Sequence, residues 1–172
     1  MSAKRRNPFA PITYTWMDEL MAAPDQPLHQ DKRRHQLTMM WEGLRAMETA
    51  AEPKPNDWRL VSDAVNLMET FVKAGPWADC KGERVEVHDC NGLIYDAVVA
   101  LALAGAKYTE GKALRLDGPG IQATRAVLED YADLLEVLPA RTVIQCHRKT
   151  ERRIRKILHG IKESQDIEVT AL

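Results

Sequence analysis

The sequence predicts an all-α, single-domain helical bundle of about five helices, with a short irregular or hairpin insertion and an extended N-terminal arm. Three observations carry this. Apolar residues recur at helical spacing in five segments, each segment is bracketed by helix-start and helix-stop residues, and the connections are short enough to make successive helices neighbours. With 172 residues, 45% hydrophobic and 28% charged, the chain is long enough to bury a core without disulfides, and its composition excludes wholesale disorder or collagen-like structure.

Residues 1–29 read as the arm, because Pro8, Pro11, Pro24 and Pro27 fall there and proline denies helix interiors. Within it, Ile12 to Met17 is too apolar to dangle in water, so Tyr14 and Trp16 are expected either to lie on the body of the domain or to enter a partner. Residues 30–160 form the bundle. The first helix runs from about Asp31, its expected cap, to Ala51, with Leu37, Met40, Trp41, Leu44 and Met47 as its buried stripe. Pro53 and Pro55 stop it. A second helix, capped by Asn56 or Asp57, keeps a stripe from Leu60 to Val72 and ends at Gly75-Pro76. The two should pack antiparallel.

Helical period breaks over 76–92, where Lys81-Gly82 and Asn91-Gly92 are turn signals and Val85 and Val87 alternate with Arg84, Glu86 and His88. It resumes from Leu93 to Tyr108 in an Ala-rich segment expected to form the central helix. Asp117 and Pro119 then open a long helix over Ile121 to Leu138. Pro139 separates it from a final helix, about Ala140 to His159, which buries Val143, Ile144, His147, Ile154, Ile157 and Leu158 and stops at Gly160. Residues 161–172 form a polar tail.

The formal net charge of −1 conceals segregation: +2 over residues 1–34, −7 over 35–140, +7 over 141–162 and −3 over 163–172. A local field follows local charge density within a Debye length of roughly 8 Å. In the final helix Arg141, Arg148, Lys149, Arg152, Arg153, Arg155 and Lys156 are opposed only by Glu151. Arg141, Arg148, Arg152 and Arg155 share one flank. This ridge suits an acidic protein partner or, alternatively, nucleic-acid phosphates. A third reading pairs it with the acidic run Glu129, Asp130, Asp133 and Glu136 of the preceding helix, which would leave Arg152 to Lys156 least compensated. No helix-turn-helix with a tight Gly turn is evident, which weighs against a DNA-reading regulator.

Catalytic signatures are missing. His35, His88, His147 and His159 have no recognisable partners, and Leu116 to Gly120 lacks the spacing of a phosphate-binding loop and reads as a helix start. Cys80, His88 and Cys90 are clustered, but nine residues between the cysteines is wrong for a zinc pair. No metal or cofactor is expected. Asp63, Asn66 and Thr70 draw a polar line down the second helix that reads as a solvent face, an interhelical hydrogen-bond ladder or the lining of a small-molecule pocket. The longest unbroken apolar run, Ala97 to Ala106, is ten residues where a bilayer needs roughly 20, so no membrane contact is expected. Three cysteines and an N-terminus without an apolar signal core fit a cytoplasmic protein with reduced thiols.

The blocks Tyr14-Thr15-Trp16-Met17-Asp18-Glu19-Leu20, Arg34 to Leu44, Asp57-Trp58-Arg59 with Ser62 to Leu67, and Arg125 to Tyr131 resemble small helical proteins of bacterial prophages and plasmids. The resemblance brings no active site. It implies a setting, a mobile genetic element, in which such proteins regulate, assemble or interfere by binding something else. The combined expectation is a non-enzymatic interaction protein that binds a protein partner through the basic helix and the aromatic arm, with self-association through Tyr14 and Trp16 as a companion reading.

Overall fold

The computed structural model describes residues 13–158; the expected helix stop at Gly160, the polar tail and the residues before Thr13 lie outside them. The described chain is an all-α bundle: α1 (Trp16–Met21), α2 (Gln30–Thr49), α3 (Pro55–Ala74), a small hairpin of β1 (Trp77–Ala78) and β2 (Arg84–Val85), then α4 (Leu93–Thr109), α5 (Gly118–Val137) and α6 (Ala140–Leu158).

The arm contains a helix that the proline count obscures. Thr15 caps α1: its hydroxyl accepts from the Asp18 amide at 3.2 Å and the Asp18 carboxylate accepts from the Thr15 amide at 2.7 Å, a reciprocal box written in the sequence as Thr-x-x-Asp. Capping elsewhere shifts the expected boundaries slightly. His29 rather than Asp31 precedes α2, and Pro55, expected to stop one helix, opens the next, with Asp57 accepting from the Lys54 amide at 2.8 Å. Asp117 caps α5 as expected, accepting from the Gly120 amide at 2.8 Å. The free carbonyls beyond α2 are met by Arg115, which donates to Ala50 O at 3.0 Å and Ala51 O at 2.9 Å.

The central helix is α3, not α4. It packs against α2, α4, α5 and α6 and is buried nearly all round, from Trp58 to Phe71. α4 turns Ile94, Ala97, Val98, Leu101 and Ala104 inward and leaves Tyr95, Leu103 and Tyr108 exposed. Its composition is so evenly apolar that periodicity does not say which side faces the core. By length and composition alone Cys90–Thr109, with a mean hydropathy of 1.3, could cross a bilayer; the unbroken-run criterion misses it. Its inner face is nevertheless part of the bundle core.

The core gathers around Trp58, Phe71, Leu101, Leu128 and Tyr131, all buried. Trp58 donates its indole N–H to Leu101 O at 2.9 Å, and Trp77, where the hairpin begins, donates to Phe71 O at 2.7 Å. The expected excursion is thus a hairpin, in register Trp77 with Val85 and Ala78 with Arg84. Asp79 closes its turn by accepting the Lys81 and Glu83 amides, each at 2.8 Å, and the Cys80 amide ties the turn to Val137 O at 3.1 Å.

The antiparallel approach of α2 and α3 depends on Gly43. A Cβ there would stand 2.8 Å from Asp57 O and 3.3 Å from Leu60 Cβ. Alanine would gain about 1 kcal/mol of helix propensity, but overpacking costs about 1–3 kcal/mol, and a backbone atom cannot move aside as a side chain can. Gly43→Ala is expected to lower stability by about 1–2 kcal/mol net, read as a lower denaturant midpoint at unchanged m.

Candidate functional site

Two features emerge from this packing: the face of α6 with α1 laid across it, and a cleft beneath them.

α6 leaves α5 at Pro139 and packs on α3 and α1. Its first amides are not free: the Ala140 N–H donates to Gln26 O at 2.7 Å and the Arg141 N–H to Ala23 O at 3.1 Å. The inner face carries Val143, Ile144, Cys146 and Thr150, all buried, with His147 and Ile154 partly so. Burial pushes the Cys146 thiol up to about 12, which leaves it inert.

The expectation that the basic ridge is free, or met by the acidic run of α5, is corrected. Arg148 pairs with Glu19 of α1, Arg153 with Glu69 of α3 at 2.7 Å and Arg155 with Glu151 at 2.6 Å. Lys149 sits 4.9 Å above the Trp77 ring, Arg141 donates to Leu20 O at 3.2 Å, and Lys156 also has an interaction. Arg152 alone of the seven is exposed with no ion-pair or hydrogen-bond partner among the described residues. The acidic run faces elsewhere, Glu136 lying 3.9 Å from Arg33 of α2. The arm divides. Tyr14 packs edge-on against His147, ring centroids 5.0 Å apart, whereas Trp16 points outward, 60% exposed.

The polar line on α3 proves to be both a ladder and a pocket wall. Thr150 donates to the Thr70 hydroxyl at 2.7 Å, Thr70 to Asn66 O at 2.9 Å, and Arg153 to Asn66 O at 3.2 Å. Asp63 and Asn66 help to line a cleft of about 220 Å³ between α2, α3 and α6, closed at one edge by Thr13 and Tyr14. Its walls include Met39, Met40, Trp58, Leu60 and Ile154.

Sequence reading missed the polar floor. Gln36 is buried and donates its amide to the Tyr131 hydroxyl at 2.5 Å and towards His147 Nε2 at 2.9 Å, with Tyr131 Oη 3.3 Å from the same nitrogen. An Nε2 that accepts fixes the proton of a neutral imidazole on Nδ1. Burial agrees, pushing His147 down to about 4. It also pushes the Asp63 carboxyl up to about 6 despite the Arg59 guanidinium nearby. Two oxygens of the lining are unanswered: Gln36 Oε1 and Ser62 Oγ have no hydrogen-bond partner among the described residues.

Asp63 and His147 pull the pH dependence of stability in opposite directions. Asp63 titrates higher folded than unfolded, so its contribution grows as pH falls from about 6 to 4; His147 titrates lower folded, so its contribution is lost between about pH 6.5 and 4. At about 1.4 kcal/mol per pH unit the two are of similar size, roughly 2–3 kcal/mol, and largely cancel. Asp63→Asn is therefore expected to be more stable than the parent at pH 7 and to lose stability on acidification to pH 4, whereas His147→Gln should gain it. Urea denaturation at both pH values checks this. Parallel curves for both variants and the parent would show that neither group is desolvated.

The cluster Cys80, His88 and Cys90 is dispersed. Cys90 is exposed, His88 lies 3.5 Å from Glu86, and the described residues contain no group of three or more potential metal-ligating side chains. No family model matches the chain, and neither a curated protein nor a solved structure matches it.

Proposed function

We propose that this chain is a non-enzymatic interaction protein whose α1 face receives an acidic, amphipathic helical segment of a protein partner. The carrying observation is α1 itself. Within six residues it exposes Trp16 (60%), Met17 (48%), Leu20 (59%) and Met21 (78%) on one face. Each such side chain gains about 1.5–3 kcal/mol on full burial. An isolated six-residue helix does not persist in water; this one is held by the Glu19–Arg148 pair, the Arg141 bond to Leu20 O and Tyr14 beneath it. The bundle thus presents the apolar face on a fixed support, and Arg152 lies one turn beyond Arg148 on the same flank of α6. Apolar anchors beside an uncompensated cation favour an acidic segment over nucleic acid, because most of the ridge already has partners. The resemblance to prophage and plasmid proteins supplies the setting, regulation by a mobile element in the cytoplasm.

Affinity capture from host lysate at two salt concentrations tests this, comparing the parent with Leu20→Ser/Met21→Ser and Arg152→Glu. The expected result is one captured protein lost with both variants, the loss with Arg152→Glu being greatest at low salt. Retention by both variants overturns the assignment. So does binding of labelled duplex or single-stranded DNA that disappears with Arg152→Glu, and so does a dimer in light scattering that dissolves with Leu20→Ser/Met21→Ser.

A further inference from the structure

Independently of the docking face, we propose that the cleft between α2, α3 and α6 is a binding site for a small protonated amine on a single-ring body, the ammonium held by Asp63, Gln36 Oε1 and Ser62 Oγ. Three features of the cleft converge on that chemistry.

The first is size. A cavity of about 150 Å³ lined by apolar side chains accommodates benzene, and drug-sized ligands use about 300 Å³ or more. At about 220 Å³ this cleft admits one ring with a short side chain. Its walls suit the ring, since Trp58 offers a flat aromatic surface and Met39 and Met40 bring flexible thioethers that mould to irregular shapes.

The second is a pair of unanswered oxygens. Gln36 is 1% exposed and Ser62 2%, yet Oε1 of the one and Oγ of the other have no hydrogen-bond partner among the described residues. A buried polar atom left unpaired costs about 1–3 kcal/mol, and such atoms in a cleft mark where a ligand's donors belong. With its NH2 directed at Tyr131 and His147, Gln36 turns Oε1 away from both. An ammonium brings three N–H donors and no acceptor, matching a carboxylate, an amide oxygen and a hydroxyl.

The third is sign. His147 beside the floor is neutral at physiological pH, so it does not repel a cation. Asp63 brings the carboxylate, whose titration burial raises although the Arg59 guanidinium beside it pulls the other way. The other charged groups of the lining, Glu151 and Arg155 of α6, neutralise each other at 2.6 Å.

The test uses the full chain and three probes of one shape: phenethylamine, 2-phenylethanol and phenylacetate, titrated by NMR. Phenethylamine is expected to bind at least about tenfold more tightly than either of the others, a difference of about 1.4 kcal/mol. Its ring protons should show intermolecular contacts to the ε-methyl groups of Met39 and Met40. Asp63→Asn should abolish the preference for the amine while raising thermal stability, which separates loss of binding from loss of fold. The amine's affinity should also fall as pH drops through about 6, where Asp63 takes up a proton. Across that range the facing groups are Arg59 on α3, His147, Glu151 and Arg155 on α6, Tyr131 on α5 and Tyr14, and His147 titrates only near 4. No saturable binding of phenethylamine, equal binding of the three probes, unchanged preference in Asp63→Asn, or contacts to methyl groups outside the cleft would each overturn the proposal.

Discussion

Glu69→Ala is expected to destabilise the protein by about 3 kcal/mol, one of the largest effects of any single polar substitution here. Glu69 and Arg153 form an ion pair whose side chains are only 9% and 14% exposed, with Lys73 adding a second contact at 2.8 Å. Removing the carboxylate strands a guanidinium between α3 and α6, where water reaches it poorly. The attraction is one of charge, for the contacting oxygen has no aligned hydrogen bond, so Glu69→Gln should recover little. Replacing both partners together, as Glu69→Leu/Arg153→Met, should restore most of the loss, because apolar residues of similar volume carry no desolvation penalty. Denaturant unfolding of the four proteins checks the set. Amide exchange should show α6 opening first in Glu69→Ala, and a loss under about 1 kcal/mol would mean that the pair is solvated.

Trp58→Ala should cost about 3–5 kcal/mol. The side chain is fully buried, belongs to the central helix, and couples α3 to α4 through its bond to Leu101 O. Trp58→Phe keeps most of the packing and loses the bond, so its expected cost is about 1–2 kcal/mol. Since Trp58 is also a wall of the cleft, the alanine variant enlarges that space and should be rescued by added indole more than by phenethylamine, with thermal unfolding as the readout.

The bundle was legible in the sequence because Leu44, Met47, Val61, Val65, Leu128 and Leu135 keep a helical period that survives any small error of boundary, and all are buried. The cleft was harder to read. Hydropathy put Leu37 and Trp41 on the buried arc of α2, yet both are only partly buried while Gln36 and Met39 are buried in the structure. A glutamine satisfied by a tyrosine 95 residues away and a histidine 111 away leaves no local trace. The same distance hid the fate of the basic ridge. Its nearest acids in sequence are on α5, but its actual partners come from α1 and α3, and which helix lies beside α6 is a tertiary outcome. By contrast, α1 could have been found from Thr15 and Asp18, since a capping box three residues apart is local chemistry.

The stitching of Gln26 and Ala23 to the first amides of α6, with Pro27 bridged to Pro139, orders events at the ribosome. α1 and the loop after it emerge first, but the groups that receive them are made more than a hundred residues later. Until residues beyond 140 clear the exit tunnel, Tyr14 has no imidazole to rest on and Glu19 no guanidinium, and the α1 face waits unformed. The α1 face therefore takes shape only once α6 has been made, and a product truncated before α6 would fail to display it.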